Sequence, residues 1–120
     1  MIVAGFGLRQ KATVQSLQSL LAASGQTVHA LAVVADKADL PAITGLATAM
    51  ALPLHRIGLA DLATDRAQTL SPRQPARYGK TSVAEAAALA AAGKGARLIQ
   101  PRLCAADGMA TVAIAEGTGL

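Results

Sequence analysis

Aromatic residues, cysteines and long apolar runs are all scarce in this chain. Its 120 residues include one Phe, one Tyr and no Trp, so we expect an aliphatic core with few stacking surfaces for aromatic-rich recognition. The single cysteine, Cys104, cannot form an internal disulfide. No apolar stretch approaches the ~20 residues that cross a bilayer, and the N-terminus lacks the pattern of a secretory signal. We therefore expect a cytoplasmic protein without a membrane partner.

Positive charge, by contrast, is in excess and is concentrated in one region. Eleven Lys and Arg against seven Asp and Glu give a net charge of +4. Residues 66–102 carry seven of these cations and a single acid, Glu85. A fold that gathers the cations on one face would attract carboxylates or phosphates. A solvated basic loop that keeps the protein soluble explains the same residues equally well.

Apolar and β-branched runs alternate with stretches of helical periodicity along the chain. The predicted strands are residues 2–4, 27–35, 52–58, 96–101 and 109–116. The last two are joined by residues 102–108 and could pair antiparallel through this short link. Residues 64–81, which are rich in proline and basic side chains, are predicted to form a long loop.

Three helices are predicted between these strands. The first is expected to follow Thr13 as its N-cap and to stop at Gly25. The second carries Pro41 in its first turn, and the third runs from Ser82 to Gly93. The alternation predicts an α/β fold in one three-layer domain over residues 1–120, with a mostly parallel or mixed sheet and helices on both faces.

The first strand is followed by two glycines, Gly5 and Gly7, which are predicted to begin a tight loop. The stretch opens like a dinucleotide-binding fingerprint, but Gln10 stands where a third glycine is needed. A nucleotide site is therefore disfavoured. Glycines would still let a ligand approach the backbone beside a helix N-terminus, with Arg9 adding charge. A plain strand-to-helix turn explains them equally well.

The metal-binding and nucleophilic residue types show no supporting pattern. His29, His55 and Cys104 have no spacing typical of zinc ligands, so neither a metal nor a cofactor is expected. Nothing local supports Cys104 and a histidine as a nucleophile pair. The basic segment lacks interleaved aromatic residues and any recognisable reading motif, so no nucleic-acid partner is expected.

Glu85 lies three residues after Ser82, which is the spacing of a capping box. In that motif the serine hydroxyl accepts from the N–H of Glu85, and the glutamate reaches back to the N–H of Ser82. The negative charge also suits the positive end of a helix. These effects explain the pair without a ligand, so catalysis by Glu85 ranks below its capping function.

Several pieces, read in order, resemble the CobE family and the C-terminal domain of CbiG, which belong to cobalamin biosynthesis. The resemblance covers nearly the whole chain, and the matching pieces are GFGLR (5–9), ADK (35–37), LPL (52–54), SVAEAAAL (82–89), LIQPR (98–102) and TVAIA (111–115). The chain departs from the family at Leu8, Leu40 and Arg102, where members often have a cysteine, an acid and a lysine.

This resemblance implies a function in building the corrin ring. CbiG-like proteins open the ring-A lactone of a cobalt-precorrin and carry an additional N-terminal region. CobE-like proteins consist of the C-terminal part alone and belong to the aerobic route. We therefore expect a protein that binds a polycarboxylate corrin or precorrin intermediate as a carrier or accessory protein, with other enzymes of the pathway as further candidate partners. The alternative is a hydrolase acting on a precorrin lactone in the manner of CbiG.

The ligand's carboxylates indicate where such a ring would bind. A basic loop and helix N-termini at the carboxyl edge of a sheet suit a polyanion. Glu85 is the one acid nominated for proton transfer. The expected ligand-binding residues are Gly5, Gly7, Arg9, Lys37, Lys80, Thr81, Ser82 and Arg102.

Overall fold

The computed structural model describes residues 1–64, 66–70 and 81–119. Its regular elements alternate between strands and helices, as the hydrophobic pattern predicts. They are β1 (Ile2–Leu8), α1 (Val14–Ser24), β2 (Ala30–Val34), α2 (Pro41–Met50), β3 (Leu54–Ile57), α3 (Val83–Ala92), β4 (Arg97–Cys104) and β5 (Ala110–Glu116). Short 3₁₀ turns follow β2 at Ala35–Lys37 and β3 at Leu59–Asp61.

The five strands form one mixed sheet in the order β3-β2-β1-β5-β4. Strands β1, β2 and β3 are parallel, whereas β5 runs antiparallel to both of its neighbours. One face of the sheet packs its side chains on α3, and the other packs on α1 and α2. The predicted α/β fold, with a mixed sheet between layers of helices, is therefore confirmed.

The ends of the first two helices follow their local sequence. The Thr13 hydroxyl accepts from the N–H of Ser16, and Gly25 ends α1 in the left-handed conformation that glycine adopts without strain. Pro41 occupies the first turn of α2, where its missing N–H costs nothing. No helix in the described part of the chain is long and apolar enough to span a bilayer.

Gly5 and Gly7 do not begin a loop, so that prediction is wrong. Both lie within β1, which continues to Leu8 and pairs with β5 along its whole length. A Cβ on Gly5 would lie 2.6 Å from the Ala88 nitrogen and 2.8 Å from the Ala88 Cβ. The glycine is needed because α3 crosses the strand too closely for any side chain.

Strand β4 is longer than predicted, because residues 102–104 belong to it and not to the link with β5. Pro101 is tolerated because β4 lies at the edge of the sheet, where its missing N–H breaks no ladder. The pairing with β5 slips between Leu98 and Gln100 and again between Gln100 and Leu103. These irregularities are β-bulges, which turn part of the β4 backbone away from the ladder.

Candidate functional site

The carboxyl ends of the parallel strands lie along one edge of the sheet, called here the carboxyl edge. Phe6 of β1 pairs with Val33 of β2, so Arg9 and Lys37 follow their strands at the same edge. The first turn of α3 reaches this edge as well, since a Cβ on Gly7 would lie 3.0 Å from the Val83 side chain. Ligands of open α/β sheets usually bind at such an edge.

Backbone hydrogen bonds fix the positions of Arg9 and Lys37 at this edge. The N–H of Arg9 donates to the Met109 carbonyl at 2.8 Å, and the Arg9 side chain is exposed. Lys37 ends the 3₁₀ turn after β2, where its carbonyl accepts from Leu40 N at 3.2 Å and its side chain is half-buried. Both predicted residues therefore lie at the carboxyl edge. Lys80, which is also predicted to bind the ligand, lies outside the described residues.

Thr81 and Ser82 lead directly into α3. The Thr81 hydroxyl donates to the Thr64 carbonyl at 3.0 Å, and Thr81 forms an isolated antiparallel bridge with Leu70. Ser82 is buried, and its N–H donates to the Thr69 carbonyl at 2.7 Å. Residues 69–70 thus pair with residues 81–82 beside the helix N-terminus.

The capping box predicted for Ser82 and Glu85 is only half formed. The Ser82 hydroxyl accepts from the N–H of Glu85 at 3.3 Å, as expected of an N-cap. The reciprocal bond is absent, because the N–H of Ser82 already donates to Thr69. The glutamate side chain is therefore directed elsewhere.

The Glu85 carboxylate accepts four hydrogen bonds and is fully buried. Oε1 accepts from the N–H groups of Gln68 at 2.7 Å and Thr69 at 2.8 Å. Oε2 accepts from the Thr69 hydroxyl at 2.6 Å and from the N–H of Arg102 at 2.8 Å. Burial alone would raise the pKa of Glu85, but the Thr69 hydroxyl, the Arg102 N–H and the other two donors together lower it. Glu85 is therefore ionised at neutral pH, which suits a general acid poorly.

Arg102 takes part in this network through its backbone. It lies in the bulged part of β4, where the pairing with β5 is shifted and the N–H can turn towards α3. Sequence reasoning missed Gln68 and Thr69, which supply three of the four donors. No local signal identifies them, because the contact joins residues 16 or 17 positions apart.

The N-terminus of α1 also lies at the carboxyl edge, but its first turn is already hydrogen-bonded to the carboxylate of Asp107. The Ser16 hydroxyl in the first turn donates to Asp107 in the β4–β5 link. That bond, together with the N–H of Met109, holds the pKa of Asp107 below its ordinary value. Beside it, α1 and the link border an open groove of about 500 Å³, to which Cys104 contributes.

Neither histidine belongs to a cluster of possible metal ligands in the described part of the chain. His29 precedes β2, and its Nδ1 accepts from the N–H of Ile2 at 3.0 Å. His55 lies in β3, and its buried Nε2 has no hydrogen-bond partner among the described residues. Cys104 is exposed. The described residues contain no group of three or more His, Cys, Asp or Glu side chains that could hold a metal ion.

Comparison with known families identifies the fold. The family profile described as "Cobalamin synthesis G C-terminus" matches residues 2–115. The chain belongs to this family. The resemblance to CobE and to the C-terminal domain of CbiG is thereby confirmed, and the chain is a member of a cobalamin biosynthesis family. No curated protein sequence matches the chain.

Two solved structures of the family share both the fold and the length of the chain. The cobalamin biosynthesis protein chiG from Agrobacterium tumefaciens is 36% identical, with 98% of this chain and 99% of that one aligned and a TM-score of 0.76. CobE, a protein from the cobalamin (vitamin B12) biosynthetic pathway, is 31% identical over 100% of this chain and 92% of that one, with a TM-score of 0.80. A cobalamin biosynthesis protein G homolog from Sulfolobus solfataricus shares the fold at 14% identity and a TM-score of 0.65, and the match covers 95% of this chain and 36% of that one.

Proposed function

We propose that this protein binds a polycarboxylate corrin or precorrin intermediate at the carboxyl edge, as a carrier or accessory protein of the aerobic pathway. The observation that carries the proposal is that Arg9, Lys37 and the N-terminus of α3 all lie at one edge of the sheet. Cations and helix N-termini both stabilise carboxylates. Intermediates of cobalamin biosynthesis are rings with many acetate and propionate groups, so the chemistry of the edge fits the family to which the chain belongs.

Exposed apolar side chains at the same edge support a ring-shaped ligand. Leu59 follows β3 and is 46% exposed, and Leu70 lies opposite Thr81 and is 69% exposed. A solvent-exposed leucine is common by itself. Beside cations, however, such side chains suit a ligand that has an apolar ring and a charged rim.

The carrier is favoured over the alternative, a CbiG-like precorrin hydrolase, by the state of Glu85. This residue was the acid nominated for proton transfer, and both of its oxygens already accept two hydrogen bonds. Its lowered pKa keeps it ionised, and its burial keeps it from a bound ring. Proton transfer from Glu85 would require this network to open.

Titration with matched ligands tests the proposal. Cobyrinic acid, which carries free carboxylates, is expected to bind, and cobinamide, which has the same ring with neutral amides, is expected to bind much more weakly. Binding should weaken as salt is added, because the attraction is between charges. Equal affinity for both rings, or no binding of cobyrinic acid at low salt, would refute the proposed function.

Charge-removal variants locate the site. Arg9→Ala and Lys37→Ala should each weaken cobyrinic acid binding about three- to tenfold, because each removes one charge-assisted contact. Lys94→Ala is the matched control. The substitution also removes one positive charge, but Lys94 follows the C-terminal end of α3. Equal losses in all three variants would mean that only net charge matters.

Turnover separates the carrier from the hydrolase. Incubation with a precorrin lactone should leave its mass unchanged if the protein only binds it. Release of a two-carbon fragment by the wild-type protein would instead establish the hydrolase.

A further inference from the structure

Glu85 joins three parts of the chain that are separate in sequence. Its carboxylate bonds to the backbone of Gln68 and Thr69 on one side and to Arg102 in β4 on the other, while its own backbone forms the first turn of α3. The Thr69 carbonyl then accepts from Ser82, and Leu70 pairs with Thr81. Three residues predicted to bind the ligand are thus connected to this carboxylate. Arg102 donates to it directly, Ser82 is linked through Thr69, and Thr81 is linked through Leu70, the neighbour of Thr69.

The carboxylate is matched to its donors in number and in charge. An ionised carboxylate can accept about four hydrogen bonds, and all four partners here are donors. A glutamine would turn an NH₂ group towards two of these N–H or O–H donors. Since a buried charge is expensive unless fully paired, the arrangement is stable only when both segments stay in place.

Helix capping does not account for this carboxylate. The N-cap bond uses the Glu85 backbone N–H and the Ser82 hydroxyl, so it would form with any side chain at position 85. A role in packing alone would be served by an apolar residue at lower cost. What the carboxylate adds is a fixed geometry for residues 68–70 and for the bulge of β4.

We propose that Glu85 is a positioning residue of the carboxyl-edge site: its carboxylate fixes the backbone at Thr69 and Arg102, and thereby the placement of Thr81 at the start of α3, where a ligand carboxylate binds, which rests on the proposed function above. Glu85 itself does not contact the ligand. Its effect on binding passes through the two segments that it holds.

The mildest test removes one donor and keeps the fold. Thr69→Val deletes the hydroxyl that bonds Oε2 but retains the shape and the backbone N–H, and Thr69→Ser restores the hydroxyl. Glu85→Gln is the stronger variant. Leu46→Ala is the control, because it destabilises the core on the opposite face of the sheet without touching the network.

Two readouts are measured on each variant, at a temperature where all are folded. Amide hydrogen exchange should accelerate at Gln68, Thr69 and Arg102 in Glu85→Gln and Thr69→Val, and less elsewhere. Affinity for cobyrinic acid should fall about tenfold in Glu85→Gln. This is the loss expected when one displaced group of the site no longer hydrogen-bonds a ligand carboxylate. Thr69→Ser should retain wild-type affinity, and Leu46→Ala should do so despite its lower melting temperature.

The outcomes separate this inference from the proposed function. If the wild type binds cobyrinic acid and the variants exchange faster but bind equally well, the positioning function is refuted and the proposed function stands. If affinity falls equally in Leu46→Ala, the effect is one of general stability and the inference is again refuted. If the wild type does not bind, both fail.

Discussion

Replacing Gly5 by alanine should push α3 away from the sheet. The new Cβ would lie 2.8 Å from the Ala88 Cβ and 2.6 Å from the Ala88 nitrogen, whereas carbon atoms attract at about 3.5–4.0 Å. The Ala88 nitrogen and the nearby Ala84 carbonyl oxygen are both backbone atoms of α3, so no rotamer change can relieve the overlap. The helix, eight of whose ten residues are buried, must shift by roughly 1 Å.

The cost follows from the general behaviour of overpacked cores. Overpacking costs about 1–3 kcal/mol, and we expect the upper end because backbone has to move. For a domain of this size each kcal/mol lowers the melting temperature by roughly 4 °C, so Gly5→Ala should melt about 12 °C below the wild type. Thermal unfolding followed by circular dichroism measures this shift.

A matched glycine provides the control. A Cβ on Gly58 would meet only an Asp61 carboxylate oxygen at 3.4 Å, so Gly58→Ala should melt within about 2 °C of the wild type. If Gly5→Ala proved as stable as Gly58→Ala, Gly5 would not be needed for the approach of α3, and the tight-loop interpretation would have to be reconsidered.

Two further predictions concern the charge and the cap at the carboxyl edge. Because the pKa of folded Glu85 lies below its ordinary value of 4.5, its contribution to stability is present above that value and is lost as the pH falls through the folded-state pKa. Denaturant unfolding should therefore show the gap between the wild type and Glu85→Gln narrowing at acid pH, and a constant gap would contradict the pKa shift. Thr13→Ala should lower the free energy of unfolding by about 1 kcal/mol, since it removes the N-cap of α1; an unchanged denaturant midpoint would show that the cap bond contributes nothing.

Local signals predicted the elements that local chemistry determines. The N-cap at Thr13, the stop at Gly25 and the proline in the first turn of α2 each depend on neighbours in sequence. Gly5 was misread because a glycine after an apolar run indicates either a turn or a close approach, and only the position of α3 distinguishes them. The extension of β4 was missed because Pro101 usually ends a strand, unless that strand lies at the edge.

The candidate site was predictable in its location but not in its connections. Basic residues after successive parallel strands must reach one edge, which places Arg9 and Lys37 together without knowledge of any contact. The function of Glu85 as an acceptor could not be predicted, because its donors belong to another loop and to a bulge in a distant strand. Local sequence identified its backbone as part of a cap and left its carboxylate unexplained.

The two faces of the carboxyl edge differ in what they offer an anion. On the α1 side, Ser16 already donates to Asp107, so a ligand carboxylate there would meet a like charge. On the α3 side, Glu85 is close in sequence to the helix N-terminus, but its carboxylate is buried and fully matched by its own donors. The close packing at Gly5 and Gly7 brings this helix end down to the strand that leads into Arg9. A carboxylate of the ring should therefore enter from the α3 side, where helix end and cation act on it together.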